Sequence, residues 1–315
     1  MRNLSVAAVA VLVAAAACGG SETVTAEPDS AFASRARAVA DAWRTARDKP
    51  ANVDWRTGFV PLQRLTLPPA AGLTGDLQVA FASGWYRLRV ALPNDTPAPG
   101  VVRFPDGSTL RTPLVSARAA YDAMHLSDPP CTEPAGAPAS STPAPATTGP
   151  DGAVGGPATH TCAVLTVTGA TLDTVRLRTS RGLATVPAWR FTVAELPAPV
   201  AQVAVAPAAV SATPHPAVPA MAPELAAARE VTLTDEGSLA YQIGIGACHR
   251  NPRGLSYETD DLVVIGGVAD PPAGDEPCIG SLALPVVEVV LERALGDRVV
   301  LDAGTGRVLP LTATA

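Results

Sequence analysis

Two stretches of this chain are not expected to contribute to a packed core, and they divide the parts that are. Residues 127–160, SDPPCTEPAGAPASSTPAPATTGPDGAVGGPATH, and residues 206–223 consist mainly of Pro, Ala, Gly, Ser and Thr, with few large apolar side chains. Such segments bury too little apolar surface to offset the entropy of ordering them. The first is expected to be a disordered insertion whose Ser and Thr content makes sugar attachment conceivable, and the second a linker between domains. The chain has 315 residues and is 47% hydrophobic, enough for one large core or two modest ones. The expected class is α+β. An antiparallel sheet with two helices spans 29–205, and a smaller β-rich domain, sandwich-like or an open sheet, spans 224–315.

Local patterns fill in these domains. Asp29 or Ser30 can cap a helix that runs to Lys49 and is stopped by Pro50. Phe32, Ala36, Val39 and Trp43 recur at helical spacing, while Arg35, Arg37, Asp41, Arg44 and Arg47 fall on other faces. An amphipathic helix docked on a core is expected. Trp85 to Leu92 alternate as a strand does, and Asp106-Gly107 marks a tight hairpin. Leu114, Ala117, Tyr121 and Met124 line one side of a second helix. Residues 162–196 read as three strands, with turns near Gly169 and at Ser180 to Gly182, and Val203 to Val205 as a short edge strand. Beyond Glu224, strands are expected at 239–245, 262–268, 282–291, 299–301 and 307–311.

The N-terminal pattern leads to the expectation that the chain is exported from the cytoplasm. Arg2 precedes an unbroken apolar run from Leu4 to Ala17, too short for a membrane span but the length of a signal-peptide core. The small residues Ala15, Ala16 and Ala17 lead into Cys18, and Gly19, Gly20 and Ser21 follow it. VAAAAC resembles the lipobox of a bacterial lipoprotein signal, in which the cysteine is acylated with palmitate-like chains and becomes the mature N-terminus. Ala15 stands where that signal usually has a larger aliphatic residue, and ordinary secretion with cleavage after Ala14 to Ala16 is the alternative. On the lipoprotein expectation, residues 1–17 are a signal peptide and 18–28 a flexible tether.

Cysteine arithmetic points the same way. Five cysteines in an exported protein leave one unpaired. Acylation of Cys18 leaves Cys131, Cys162, Cys248 and Cys278, which permit three pairings. Pairing sequence neighbours is the simplest, since each bridge closes a loop of about 30 residues, a closure worth roughly 3–4 kcal/mol in the chain-entropy model. Structural disulfides in an oxidising compartment are expected, not metal ligands.

Charge and motifs exclude several classes. The net charge of −6 includes no basic patch, which argues against a nucleic-acid partner. Lys49 is the sole lysine, which removes Schiff-base and Ser-x-x-Lys chemistry. No metalloprotease, nucleophile-elbow, phosphate-loop or dinucleotide motif occurs, so neither a cofactor nor a metal is expected. The segments VPAWRFTV and LGDRVVLDAGTGRVL are similar to ones found in uncharacterised actinobacterial cell-envelope lipoproteins, a resemblance over the second half of the chain that carries no established activity.

Two clusters are candidates for chemistry. GACHRNPRGLSYETDD, residues 246–261, sets His249 near Glu258, Asp260 and Asp261. A histidine with carboxylates could serve as acid and base, although a polar connection between strands would carry the same residues. LDAGTG, residues 301–306, is similar to the aspartic-protease Asp-Thr-Gly turn, but Ala303 departs from it and no second copy exists, so a hairpin turn is expected. The sequence thus leads to a membrane-anchored extracytoplasmic lipoprotein that binds an envelope protein or glycan without catalysis. The alternative is an envelope hydrolase using His249 with those carboxylates.

Overall fold

The structure, a computed structural model, describes residues 28–129, 163–272 and 280–313. The fold is α+β, built on two seven-stranded sheets formed by successive parts of the chain. The expected signal peptide, all of the expected tether but Pro28, most of the expected insertion, and Cys18, Cys131, Cys162 and Cys278 lie outside the described residues.

Helix α1 (Pro28–Arg47) buries Phe32, Ala36, Val39 and Trp43, the face its spacing predicts. A short helix α2 (Asp54–Thr57) follows, and its Trp55 meets the Trp43 ring edge-on at 5.2 Å. The chain then enters the first sheet through β1 (Thr66–Leu67), α3 (Gly75–Ser83), β2 (Tyr86–Leu88), β3 (Gly100–Arg103), β4 (Thr109–Thr112), α4 (Ala117–Met124), β5 (Leu165–Thr179), β6 (Gly182–Val193) and β7 (Val200–Val203). The main path runs β1-β7-β6-β3-β4, with β5 also pairing β6 and β2 joining β5 in parallel. The Asp106-Gly107 hairpin forms as expected. Gly107 takes φ 83° and the Phe104 amide donates to the Ser108 carbonyl at 3.0 Å, so three residues make the turn. Ser116 caps α4 by accepting the Ala119 amide at 3.2 Å.

Residues 163–196 hold two strands where three were expected. Gly169 does not turn the chain: the β5–β6 register shifts by one between Val167 and Gly169, which is a bulge in a continuous strand. Residues 75–83 form α3, and the alternation expected over 85–92 survives only as β2.

The second sheet comprises β8 (Leu225–Asp235), β9 (Ser238–Ile243), β11 (Arg250–Glu258), β12 (Leu262–Asp270), β14 (Val286–Val290), β15 (Val299–Asp302) and β16 (Thr312–Ala313), while β10 (Ile245–Gly246) and β13 (Leu282–Ala283) pair separately. The path β11-β12-β8-β9-β14 curls until β14 approaches β11. A Cβ at Gly254 of β11 would lie 2.9 Å from Val289 Cγ1 of β14. Leu239, Tyr241, Ile243, Val263, Ile265 and Val289 fill the interior of the curl. The Tyr241 hydroxyl crosses it and donates to the carbonyls of Gly266 (2.7 Å) and Leu255 (3.1 Å).

Alternate residues of β12 account for the position of α1. Val263 and Ile265 face the interior, while Leu262, Val264 and Val268 face outward and pack against Phe32, Ala36 and Trp43. Helix α1 therefore docks on the second sheet, although it precedes the first sheet in the chain. Arg35, placed on a solvent face by its charge, is buried at 9% exposure and donates to the carbonyls of Ala303, Pro219 and Gly304, each at 2.7 Å.

Residues 206–223 likewise pack along the body. Val218, Met221 and Ala222 cover the core under α1, Ala209 and Val210 lie on the first sheet's core, and the Ser211 amide donates to Phe59 at 2.9 Å.

Candidate functional site

The segment Pro61–Arg64 stitches the two sheets together. On one side Pro61 bridges Thr179 and the Leu62 amide donates to Arg178 at 2.9 Å; on the other Gln63 bridges Leu311, with Leu311 N to Leu62 O at 3.0 Å and Arg64 N to Leu311 O at 2.9 Å. Pro61, Gln63 and Arg64 of this seam line a cleft of about 910 Å³. One wall is the stretch from β1 through Pro68-Pro69-Ala70-Ala71-Gly72, the exposed side of α3 and the end of α4. The opposite wall is the outer surface of β8 and β9, the start of β14 and the chain before β16. A volume of that order lies within the range of ligand sites.

The lining is apolar with neutral hydrogen-bonding groups. Gln78, Gln242, Thr66, Thr232 and Thr312 supply amides and hydroxyls, and Phe81 is its half-buried aromatic ring. Gln202 is 5% exposed and accepts the Thr66 hydroxyl at 2.6 Å, which fixes that side of β1. Arg64 and Glu230 are the two charged residues lining the cleft, and neither has an ion-pair partner among the described residues. Glu230 occupies a left-handed position, φ 51°, where the β8–β9 register shifts between Arg229 and Thr232. A non-glycine residue there costs energy and re-aims a side chain that the pleat would otherwise direct elsewhere.

The residues singled out in the sequence lie away from this cleft. The stretch 250–258, expected to be a connection, is strand β11, and it holds His249 and Glu258 apart at its two ends. Nine chain steps along the strand separate them by on the order of 25–30 Å. Each carboxylate is committed to arginine. Glu258 pairs with Arg298 at 2.6 Å, both side chains at least 90% buried, and accepts the Glu292 amide at 2.7 Å. Asp260 pairs with Arg293 at 2.9 Å. Asp261 receives Arg44 at 2.7 Å and Arg47 at 3.2 Å, and the Arg44 hydrogen bond holds its carboxyl well below the usual carboxylate range. His249 Nδ1 is buried against Gly246 without a hydrogen-bond partner among the described residues. The proposed acid–base set is not assembled.

Asp302 in LDAGTG is a turn anchor. Its Oδ1 accepts the amides of Ala228 (2.9 Å) and Gly304 (3.0 Å), and its Oδ2 accepts the Thr305 amide and hydroxyl, both at 2.8 Å. Both carboxylate oxygens are thereby engaged, in the hairpin turn expected at this position.

Cys248 is disulfide-bonded, and the sulfur it bonds lies outside the described residues. Among the described residues no group of three His, Cys, Asp or Glu side chains is placed to hold a metal ion, and no helix is long and apolar enough to cross a membrane. No protein-family model, no curated protein and no solved structure matches this chain.

Nothing in the sequence flagged the cleft. Its lining is drawn from residues 61 to 312, and its two charges carry no motif. Pro68-Pro69-Ala70-Ala71-Gly72, which forms part of one wall, is a turn-rich stretch that could have drawn attention to it, but such a stretch does not by itself mark a site.

Proposed function

We propose that this chain is an extracytoplasmic lipoprotein, fastened through acylated Cys18 to the outer face of the cytoplasmic membrane, that binds an extended, low-charge segment of an envelope protein in the cleft between its two sheets. The observation that carries the binding role is the cleft lining. Among the described residues it sets the neutral amides and hydroxyls of Gln78, Gln242, Thr232 and Thr312 among apolar side chains, with Arg64 and Glu230 as the charged groups, a lining suited to holding a low-charge ligand. Amide and hydroxyl side chains between apolar walls suit an extended backbone, and β1 and β16 lie along the cleft as short strands to which a further strand could add. One half-buried aromatic ring is a poor platform for sugar rings, which weighs against a glycan.

The disulfide at Cys248 supports an oxidising compartment. Pairing of Ile245 with Ala283 and Gly246 with Leu282, extended by Ala247 N to Ser281 O at 2.9 Å, brings Cys248 opposite Gly280, two residues from Cys278. The Leu126 and Leu165 amides donate to the adjacent carbonyls of Gly84 and Trp85, so the two ends of the insertion start side by side, as a Cys131–Cys162 bridge requires.

Ala82 is exposed on α3 and lines the cleft, so Ala82→Trp fills it without disturbing a core position. The detergent-solubilised full chain should retain an envelope protein whose binding region shortens to one extended segment, and the Trp variant should bind that segment at least tenfold more weakly, about 1.4 kcal/mol. Equal affinity of the two chains for the segment would refute the cleft as the site.

A further inference from the structure

Strand β14 presents one polar residue among apolar ones on its outer face. Val287 and Val289 point into the curled sheet, so Val286, Glu288 and Val290 point out, and Leu282 and Leu284 continue the same alternation upstream. Leu282 (62%), Leu284 (41%), Val286 (67%) and Val290 (77%) are all exposed, four of the large apolar residues that monomeric surfaces normally scatter singly.

The path of the N-terminal chain indicates what this ridge faces. Asp29, at the start of α1, pairs with Arg253 of β11 at 2.7 Å. The next residue of that strand, Gly254, lies against Val289, and Glu258 accepts the Glu292 amide, so β11 and β14 run side by side in the same direction. The described chain therefore begins one strand away from the ridge and level with it. Nine residues lie between Cys18 and Pro28, ten chain steps with a reach of at most about 35 Å.

We infer that the ridge Leu282, Leu284, Val286 and Val290 is a membrane-contact face, which rests on the bilayer surface beside the anchor. The inference depends on the N-terminal acylation proposed above. An apolar strand face of this kind settles at the boundary between headgroups and acyl chains, while Glu288 stays in the headgroup layer. Val286 also lines the cleft. The contact therefore sets the cleft mouth close to the membrane surface, open to segments emerging from it.

The test uses the full-length acylated protein in phosphatidylglycerol–phosphatidylcholine vesicles with brominated acyl chains, comparing Val290→Trp and Val286→Trp with Leu172→Trp on the first sheet. At the depth of such a face, the fluorescence added at 290 and 286 should be quenched about twofold or more, and that added at 172 hardly at all. A protein that floats with the vesicles while 290 and 286 are quenched no more than 172 overturns the inference. If the protein does not float, the anchoring proposal fails separately. In that case residues 19–315, held by an N-terminal hexahistidine tag on nickel-chelating lipid, decide the matter: quenching at 290 and 286 supports the contact face and its absence rejects it.

Discussion

Replacing Asp302 should show how much of the second sheet hangs on one turn. The residue is 3% exposed, and its carboxylate accepts four hydrogen bonds, one from the buried Ala228 amide of β8 and three from the turn itself. In Asp302→Ala the Ala228 N–H loses its acceptor in a place water does not reach, and the three turn donors lose partners that water can partly replace. Together these cost about 3–5 kcal/mol. Asp302→Asn keeps one carbonyl oxygen, and with it the bonds on one side of the group, but turns its NH2 toward the donors on the other, so its cost should be at least half, about 1.5–4 kcal/mol. Equilibrium urea unfolding of the disulfide-intact chain measures both. The Asn variant gives a usable transition even if the Ala variant does not fold. A loss under about 1 kcal/mol for both would refute the claim that the turn ties β15 to β8.

Three further outcomes follow from other contacts. A Cβ at Gly254 would sit 2.7 Å from the Tyr241 hydroxyl, so Gly254→Ala should destabilise by about 1–3 kcal/mol, and adding Tyr241→Phe should return part of that in a double-mutant cycle, whereas strict additivity would contradict the packing described. The Asp261 carboxyl is held below its unfolded value by Arg44, so its contribution is present above about pH 4 and is lost as pH falls. Unfolding curves between about pH 3 and 6 should therefore be flatter for Asp261→Asn than for the parent, and equal slopes would remove Asp261 from the acid response. Cys18→Ser should move the protein from the detergent phase to the aqueous phase, and unchanged partitioning would reject the lipid anchor.

Much of the architecture could be read before the structure, and the failures have physical causes. The apolar face of α1, the Asp106-Gly107 hairpin and the helix that buries Ala117, Tyr121 and Met124 are local patterns that one segment specifies alone, and they appear where expected. The docking partner of α1 is a long-range choice made by the outward residues of β12, which no pattern within the helix contains. Arg35 looked like a surface cation because its three carbonyl acceptors come from residues 219, 303 and 304. Strand β11 was missed because its polar, partly exposed residues carry a loop's composition, and Gly169 because a bulge and a turn call for the same residue. Residues 206–223 show that proline-rich composition does not prevent packing when neighbouring cores offer a surface. The cleft was illegible for the same reason as the docking of α1: two sheets create it by meeting, and its amides and threonines have no spacing in sequence.

A photoactivatable benzoylphenylalanine at Phe81, inside the cleft, set against the same residue at Leu172 on the first sheet, tests the binding role in living cells. The predicted result is a discrete adduct from position 81, mapped by mass spectrometry to one extended segment of an envelope protein, abolished by Ala82→Trp and absent from position 172. No adduct at 81, or the same adducts from both positions, would contradict it.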